Sequence, residues 1–269
     1  MTSWQQLPSG PSIALSSHGG ALRIQLRRPE QLNALDNHTS EELLAVLRRA
    51  AEDDSVRSVL LTGTGRAFCA GADIGSQFSD PDARAAVKQG MKDRTAPTIL
   101  ALRQLPKPVI AAVNGAAAGL GCSIALACDL VLAADTAYFL LAFANLGLTV
   151  DGGASLIVPA RVGLGRAFVM SLLAERVPAP EALAWGLADR VVPDAELAAV
   201  SEALALRLAA GPTRSYAATK HAINKAQLST LGAQLDLETE LQGELLASED
   251  FDEGVKAFTA KRTPSFRGV

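Results

Sequence analysis

Apolar residues recur along this chain in short runs that switch between two periods. Residues 12–17 and 21–26 are β-rich and flank His18-Gly19-Gly20, which predicts an opening hairpin. Residues 40–51 place Leu43, Leu44, Val46, Leu47 and Ala50 at helical spacing. Residues 57–62 (RSVLLT) read as a short buried strand, and 67–74 (AFCAGADI) as a strand end running into a turn. Residues 80–105 read as helix after a polar start, 108–113 as strand, 119–127 as helix and 129–133 as strand. Residues 147–153 (GLTVDGG) form a loop that opens a helix. Beyond Leu164 the pattern is mostly helical, with candidates at 195–210, 213–226 and 231–248 and one strand at 190–192. Strand and helix therefore alternate first, and the last third is α-rich. No fixed-period repeat stands out, and no linker forces a second domain.

One stretch complicates this picture. Residues 108–128 (PVIAAVNGAAAGLGCSIALAC) carry no charge and match a membrane span in length. Pro108, Asn114, Gly115, Gly119 and Gly121 interrupt the run, so it reads better as a buried strand, a Gly-rich turn and a small-residue helix. No signal peptide is expected at the N-terminus.

Composition narrows the classes. Hydrophobic residues make up 49% of the 269, which excludes intrinsic disorder, and aromatic residues only 4%, so aliphatic side chains and Ala must fill the core. The net charge of −3 comes without a basic block, which argues against nucleic-acid and membrane partners. Cys69, Cys122 and Cys128 lack zinc-type spacing and predict reduced thiols in a cytoplasmic protein. Scattered His and Cys give no metal-ligand pattern. Asp53-Asp54 and Glu249-Asp250 read as solvated helix-end charges.

Two decoys sit in the sequence. Gly115-x-x-x-Gly119-x-Gly121 resembles the nucleotide turn of short-chain dehydrogenases, and Tyr216-x-x-x-Lys220 their catalytic pair. That turn belongs on a first strand, whereas here more than 100 residues precede it, and no acidic residue follows at ribose-binding spacing. Tyr216 and Lys220 lie four apart among ordinary surface charges, so simple helix neighbours are the better reading. Ser123 and Ser155 lie near Gly-rich turns without a G-x-S-x-G elbow.

The two small-residue turns, 69–74 and 114–122, matter together. Each ends a buried strand and can turn backbone N–H groups into one cavity, and two converging donors are what an enolate or tetrahedral oxyanion needs. Tight packing is the plainer reading of either turn alone.

From near Ser12 to Phe266 the chain resembles the enoyl-CoA hydratase/isomerase (crotonase) family. The resemblance rests on residues 28–35 (RPEQLNAL), 65–74 (GRAFCAGADI), 107–115 (KPVIAAVNG), 119–122 (GLGC) and 127–130 (ACDL), in that order. It implies an α/β fold, a crotonase (ClpP/crotonase-like) spiral of ββα units over residues 1–195, with a helical oligomerisation region over 196–269. It implies a coenzyme A thioester as substrate, no permanently bound cofactor, and a homotrimer or a dimer of trimers. By motif position, the backbone N–H groups of Ala72 and Leu120 would form the oxyanion hole. Ala70, Gly71, Asp73, Ile74, Gly119 and Phe143 would line the substrate path. Phe258 and Lys261 would reach a neighbour's coenzyme A.

Two glutamates typical of the family's hydratases are replaced here by Ser123 and Phe143, which puts simple hydration in doubt. Asp151 is the acid/base candidate, although an aspartate before Gly-Gly-Ala-Ser also suits a helix N-cap. The family's phenylacetate-type isomerases and its aryl-CoA dehalogenases have an Asp at this position. Dehalogenation would need a His that activates water, and none lies between His38 and His221. The resemblance therefore implies double-bond isomerisation of an enoyl or ring-derived CoA thioester, in fatty-acid or aromatic-acid catabolism. Leu140, Leu141, Phe143, Leu146 and Leu148 would keep the site dry and raise the carboxyl pKa.

Overall fold

The structure is a computed structural model that describes residues 4–73 and 81–269. Its elements in order are β1 (Gln5–Leu7), β2 (Ile13–His18), β3 (Ala21–Leu26), α1 (Asn37–Glu52), β4 (Ser58–Gly63), β5 (Ala67–Cys69), α2 (Pro81–Gly90), a π-turn (Met91–Thr95) and α3 (Ala96–Gln104). Then come β6 (Val109–Val113), β7 (Ala116–Ala118), α4 (Leu120–Ala127), β8 (Leu130–Ala134), β9 (Tyr138–Leu140), a 3₁₀ turn (Ala142–Leu146), α5 (Ala154–Val162), α6 (Leu164–Phe168) and a second π-turn (Val169–Leu173). The chain ends with β10 (Val177–Pro178), α7 (Ala179–Trp185), β11 (Arg190–Val192), α8 (Asp194–Ala209), α9 (Thr213–Gln227), α10 (Leu231–Leu245) and α11 (Glu249–Thr259).

Among the described residues the strands form two sheets, ordered β1-β2-β3-β4-β6-β8-β11 and β10-β9-β7-β5. The predicted hairpin is β2–β3, and β1, absent from the sequence reading, pairs with β2. From β3 to β11 the larger sheet is parallel, as is β5-β7-β9 in the smaller one. Three successive strand pairs, β4–β5, β6–β7 and β8–β9, each give one strand to each sheet before a helical segment follows. That is the ββα spiral. It shows no sequence period because each turn faces different neighbours.

The uncharged run becomes β6, β7 and α4, and nearly all of it is buried. The short strand β7 is the part that periodicity missed. No helix among the described residues is long and apolar enough to cross a membrane. All three cysteines are free and buried, and burial pushes each thiol up to about 12.

Two expectations need correction. The division expected between residues 195 and 196 falls inside α8, which lies on the sheet. Ser201 and Ala205 are buried there, and Ser58 Oγ donates to the Ala205 carbonyl at 2.8 Å. Sheet-packed core therefore extends through α8. Lys220 of α9 is no surface neighbour of Tyr216 either. Its Nζ is largely buried and donates to Asp129 Oδ2 at 2.8 Å and to the Leu102 carbonyl at 2.7 Å. Asp129 also accepts from the Val109 amide at 2.9 Å, so this ion pair fastens α9 to the start of β6.

The spiral requires its turns to touch through backbone. A β-carbon on Gly121 would lie 2.2 Å from the Cys69 carbonyl oxygen, whereas one on Gly165 of α6 would meet nothing within 4 Å. Gly121→Ala should cost about 3 kcal/mol or more by urea unfolding, and Gly165→Ala should be neutral or stabilising by up to about 1 kcal/mol. Equal effects at the two positions would refute the backbone contact.

Candidate active site

The motif at residues 28–35 builds the first wall. Leu32 and Asn33 adopt left-handed φ of 52° and 57°. The buried Asn33 side chain accepts from the Arg28 amide at 2.9 Å and donates to the carbonyls of Thr64 and Ala67 at 2.9 and 2.7 Å. This knot holds the following strand-like segment against the turn after β5. There the Leu35 amide donates to the Gly71 carbonyl at 2.8 Å, and the Asp73 amide donates back to Leu35 at 3.0 Å. In extended chain successive amides point to opposite edges, so the Ala72 N–H between them faces away from Leu35. It has no acceptor among the described residues.

The second wall is the turn from β7 into α4. Gly119 adopts φ 51° and ψ −128°, a conformation that side chains disfavour, while its amide donates to the Leu140 carbonyl at 2.8 Å. Leu120 opens the helix, and a first-turn amide has no partner within its own helix. Its N–H likewise has no acceptor among the described residues. Gly71, at φ 96°, brings the walls together: a β-carbon there would sit 2.9 Å from the Ala118 carbonyl and 3.3 Å from the Leu120 nitrogen.

Ala72 and Leu120 line one cavity of about 120 Å³, together with Ala70, Gly71, Gly119, Phe143 and Asp151. Leu146, Leu148 and Leu246 add apolar surface, and Gln242 a polar group. Two free amides on one cavity can hold an oxyanion.

Among the described residues Asp151 is the carboxylate of this cavity. Its Oδ2 accepts from Gln242 Nε2 at 3.3 Å, and its buried Oδ1 has no partner among the described residues. Burial, and then the negative charge of Glu238, push the carboxyl up to about 7, against a smaller opposing pull from Gln242. Such a group can both take and release a proton near neutral pH. Its backbone is fixed as well. Ser123 Oγ donates to the Asp151 carbonyl at 2.8 Å, and a β-carbon on the neighbouring Gly152 would lie 2.8 Å from that of Ser123.

The N-cap reading of Asp151 is overturned. Helix α5 begins at Ala154 with Gly153 as N-cap, and the cap comes from another helix. Glu238 of α10 accepts from the Gly153 amide at 2.7 Å, the Ser155 amide at 2.9 Å and the Ser155 hydroxyl. Neither Glu238 nor Gln242 was singled out from sequence. Their i, i+4 spacing on one face of α10, after Gln234, was the available signal, but it reads equally as a solvated stripe.

Other candidate residues lie off this cavity. Asp73 does not line the cavity; its carboxylate pairs with Arg28 at 3.1 Å, because that guanidinium sits beside it. Phe258 is 61% exposed near the end of α11, Lys261 lies just beyond that helix, and neither borders the cavity. Ile74 falls outside the described residues.

Comparison with known proteins supplies an independent measure. The profile described as "Enoyl-CoA hydratase/isomerase" matches residues 16–269. The chain is 42% identical over 250 residues to the 1,2-epoxyphenylacetyl-CoA isomerase of Escherichia coli K12, covering 93% of this chain and 95% of that one. It is 44% identical over 249 residues to a probable enoyl-CoA hydratase of Rhodobacter capsulatus, with the same coverage. Among solved structures it is similar to an enoyl-CoA hydratase from Mycobacterium avium subsp. paratuberculosis K-10, with a TM-score of 0.88 and 41% identity, covering 97% of this chain and all of that one.

The pKa of Asp151 makes a stability prediction with a definite sign. A carboxyl raised by folding costs nothing below its unfolded value of 3.8; the penalty grows as pH rises and is complete above about 7. Replacing Asp151 with Asn removes that penalty. Urea unfolding at pH 4 and pH 8 should favour the variant more at pH 8, by at most about 4 kcal/mol. A pH-independent difference would mean that the carboxyl is not held in an apolar setting.

Proposed function

The chain belongs to the enoyl-CoA hydratase/isomerase family, and on that premise we propose that it moves a double bond within an unsaturated acyl-CoA thioester, enoyl or ring-derived, with Asp151 as acid/base. The observation that carries this reading is an ionisable carboxylate, the only one among the described residues of the cavity and poised near neutrality, on an apolar lining that also presents two free amides. Asp151 removes a proton from one carbon of the acyl group. The thioester oxygen gains the resulting charge and accepts from the Ala72 and Leu120 amides. The enolate then takes the same proton back at a second carbon. Proton and electron pair balance, so no water, redox partner or resident cofactor is called on, and coenzyme A enters with the substrate.

Hydration would ask for a second group to hold and activate water. Ser123 is committed to the Asp151 carbonyl, Phe143 is apolar, and Glu238 is bound to three donors and does not line the cavity. The 1,2-epoxyphenylacetyl-CoA isomerase among the relatives supports isomerisation as the class of reaction, while the hydratase relatives keep water addition as the competing outcome.

The proposal extends to assembly. Leu164, Phe168 and Leu172, at helical spacing, are 69%, 61% and 70% exposed, an apolar stripe that suits a subunit contact. A homotrimer or dimer of trimers, built by the helices after the core, would bring Phe258 and Lys261 to a neighbour's coenzyme A. The buried, unpaired thiols suit a cytoplasmic setting.

Incubation with 3-enoyl-CoA in heavy water should give the 2-enoyl isomer, without the mass of an added water. Asp151→Asn should lose about 10²- to 10⁴-fold in turnover while binding the thioester nearly as well. Retained turnover in that variant, or water addition as the main reaction, would reject the reading.

A further inference from the structure

The two oxygens of Asp151 have unequal surroundings, and the inequality comes from α10. Gln242 Oε1 accepts from the Thr149 amide at 3.1 Å, which fixes the orientation of the side-chain amide. Its Nε2 must then face Asp151 Oδ2, which it meets at 3.3 Å. Gln242 is 3% exposed, so water does not substitute for it. One turn earlier Glu238 grips the Gly153 and Ser155 amides, and another turn earlier Gln234 donates to Ser155 Oγ at 2.9 Å. This stripe holds both flanks of the Asp151 loop. Asp151 lines the substrate cavity, and its Oδ1 is buried with no partner among the described residues.

We infer that Gln242 is a positioning residue: held by the Thr149 amide, it fixes the Asp151 carboxyl through Oδ2 for proton transfer between the two carbons of the substrate. The inference rests on Asp151 being the acid/base. In the forward half-step a C–H bond breaks, a carboxyl O–H bond forms on Asp151, and the electron pair passes into the enolate. In the return that O–H bond breaks as the new C–H bond forms. The Gln242 hydrogen bond restrains the carboxyl in one orientation between the two transfers. The charged groups around it are Glu238 on α10 and Arg94 of the first π-turn, which lines the same cavity.

The test is the pH profile of isomerisation for the parent, Gln242→Met and Gln242→Glu. Met removes the donor at similar size, and Glu keeps an acceptor for the Thr149 amide while adding negative charge. In Gln242→Met the acid limb of kcat/KM should move up by about one pH unit, with kcat lowered about tenfold and KM nearly unchanged. Gln242→Glu should move that limb at least as far. A residue that only supports the fold would lower activity or melting temperature without moving the limb. Acid limbs that coincide with the parent's in both variants, alongside an inactive Asp151→Asn, overturn the Gln242 inference alone. Retained turnover in Asp151→Asn overturns it together with the acid/base assignment.

Discussion

Everything at this site depends on backbone meeting backbone where two turns of the spiral touch. Gly71 faces the Ala118 carbonyl and the Leu120 nitrogen, and Gly121 faces the Cys69 carbonyl, at separations that no β-carbon fits. The contact brings the Ala72 and Leu120 amides to the edge of one cavity. Their freedom follows from two different local rules. Ala72 is free because its neighbours spend their groups on Leu35, and Leu120 because it opens a helix. The requirement for small residues also bears on composition. Strands β6 and β7 and helix α4 are built from Ala, Gly, Val, Cys, one Ser and a few larger aliphatics. Rings would not fit between turns that approach this closely, so part of the low aromatic content follows from the packing.

Much of this was legible beforehand, for physical reasons that differ by element. The hairpin, α1 and the parallel strands announce themselves because burial on one or both faces imposes a period. The two Gly-rich turns stood out because glycine between buried strands has few other uses. Strand β7 was missed because Ala116–Ala118 has no alternation to read. Lys220 was misread because a lysine at surface spacing gives no sign that Asp129, in a distant segment, will neutralise it. Gln242 and Glu238 were invisible for the same reason. Their role is set by contact with a loop about 90 positions away in the chain, and a polar residue on a helix looks alike whether it faces water or a buried carboxylate.

The position of Asp151 finally turns on a competition for amides. It precedes the N-cap of α5 by two residues, close enough that an aspartate would ordinarily fold back and accept from the helix's first N–H groups. A carboxylate so employed would be stabilised in its charged form and drawn away from the cavity. Glu238 prevents this by taking the Gly153 and Ser155 amides from outside the segment. Its charge also discourages a second negative charge at Asp151. Capping thus falls to an acid on α10, and the Asp151 carboxyl, in the loop before α5, is left to the cavity that it lines. The helix that caps also brings Gln242, which restrains one oxygen of the freed carboxylate. Helix α10, expected from sequence only as part of an assembly region, therefore takes over the cap and leaves an aspartate beside a helix start on the cavity instead.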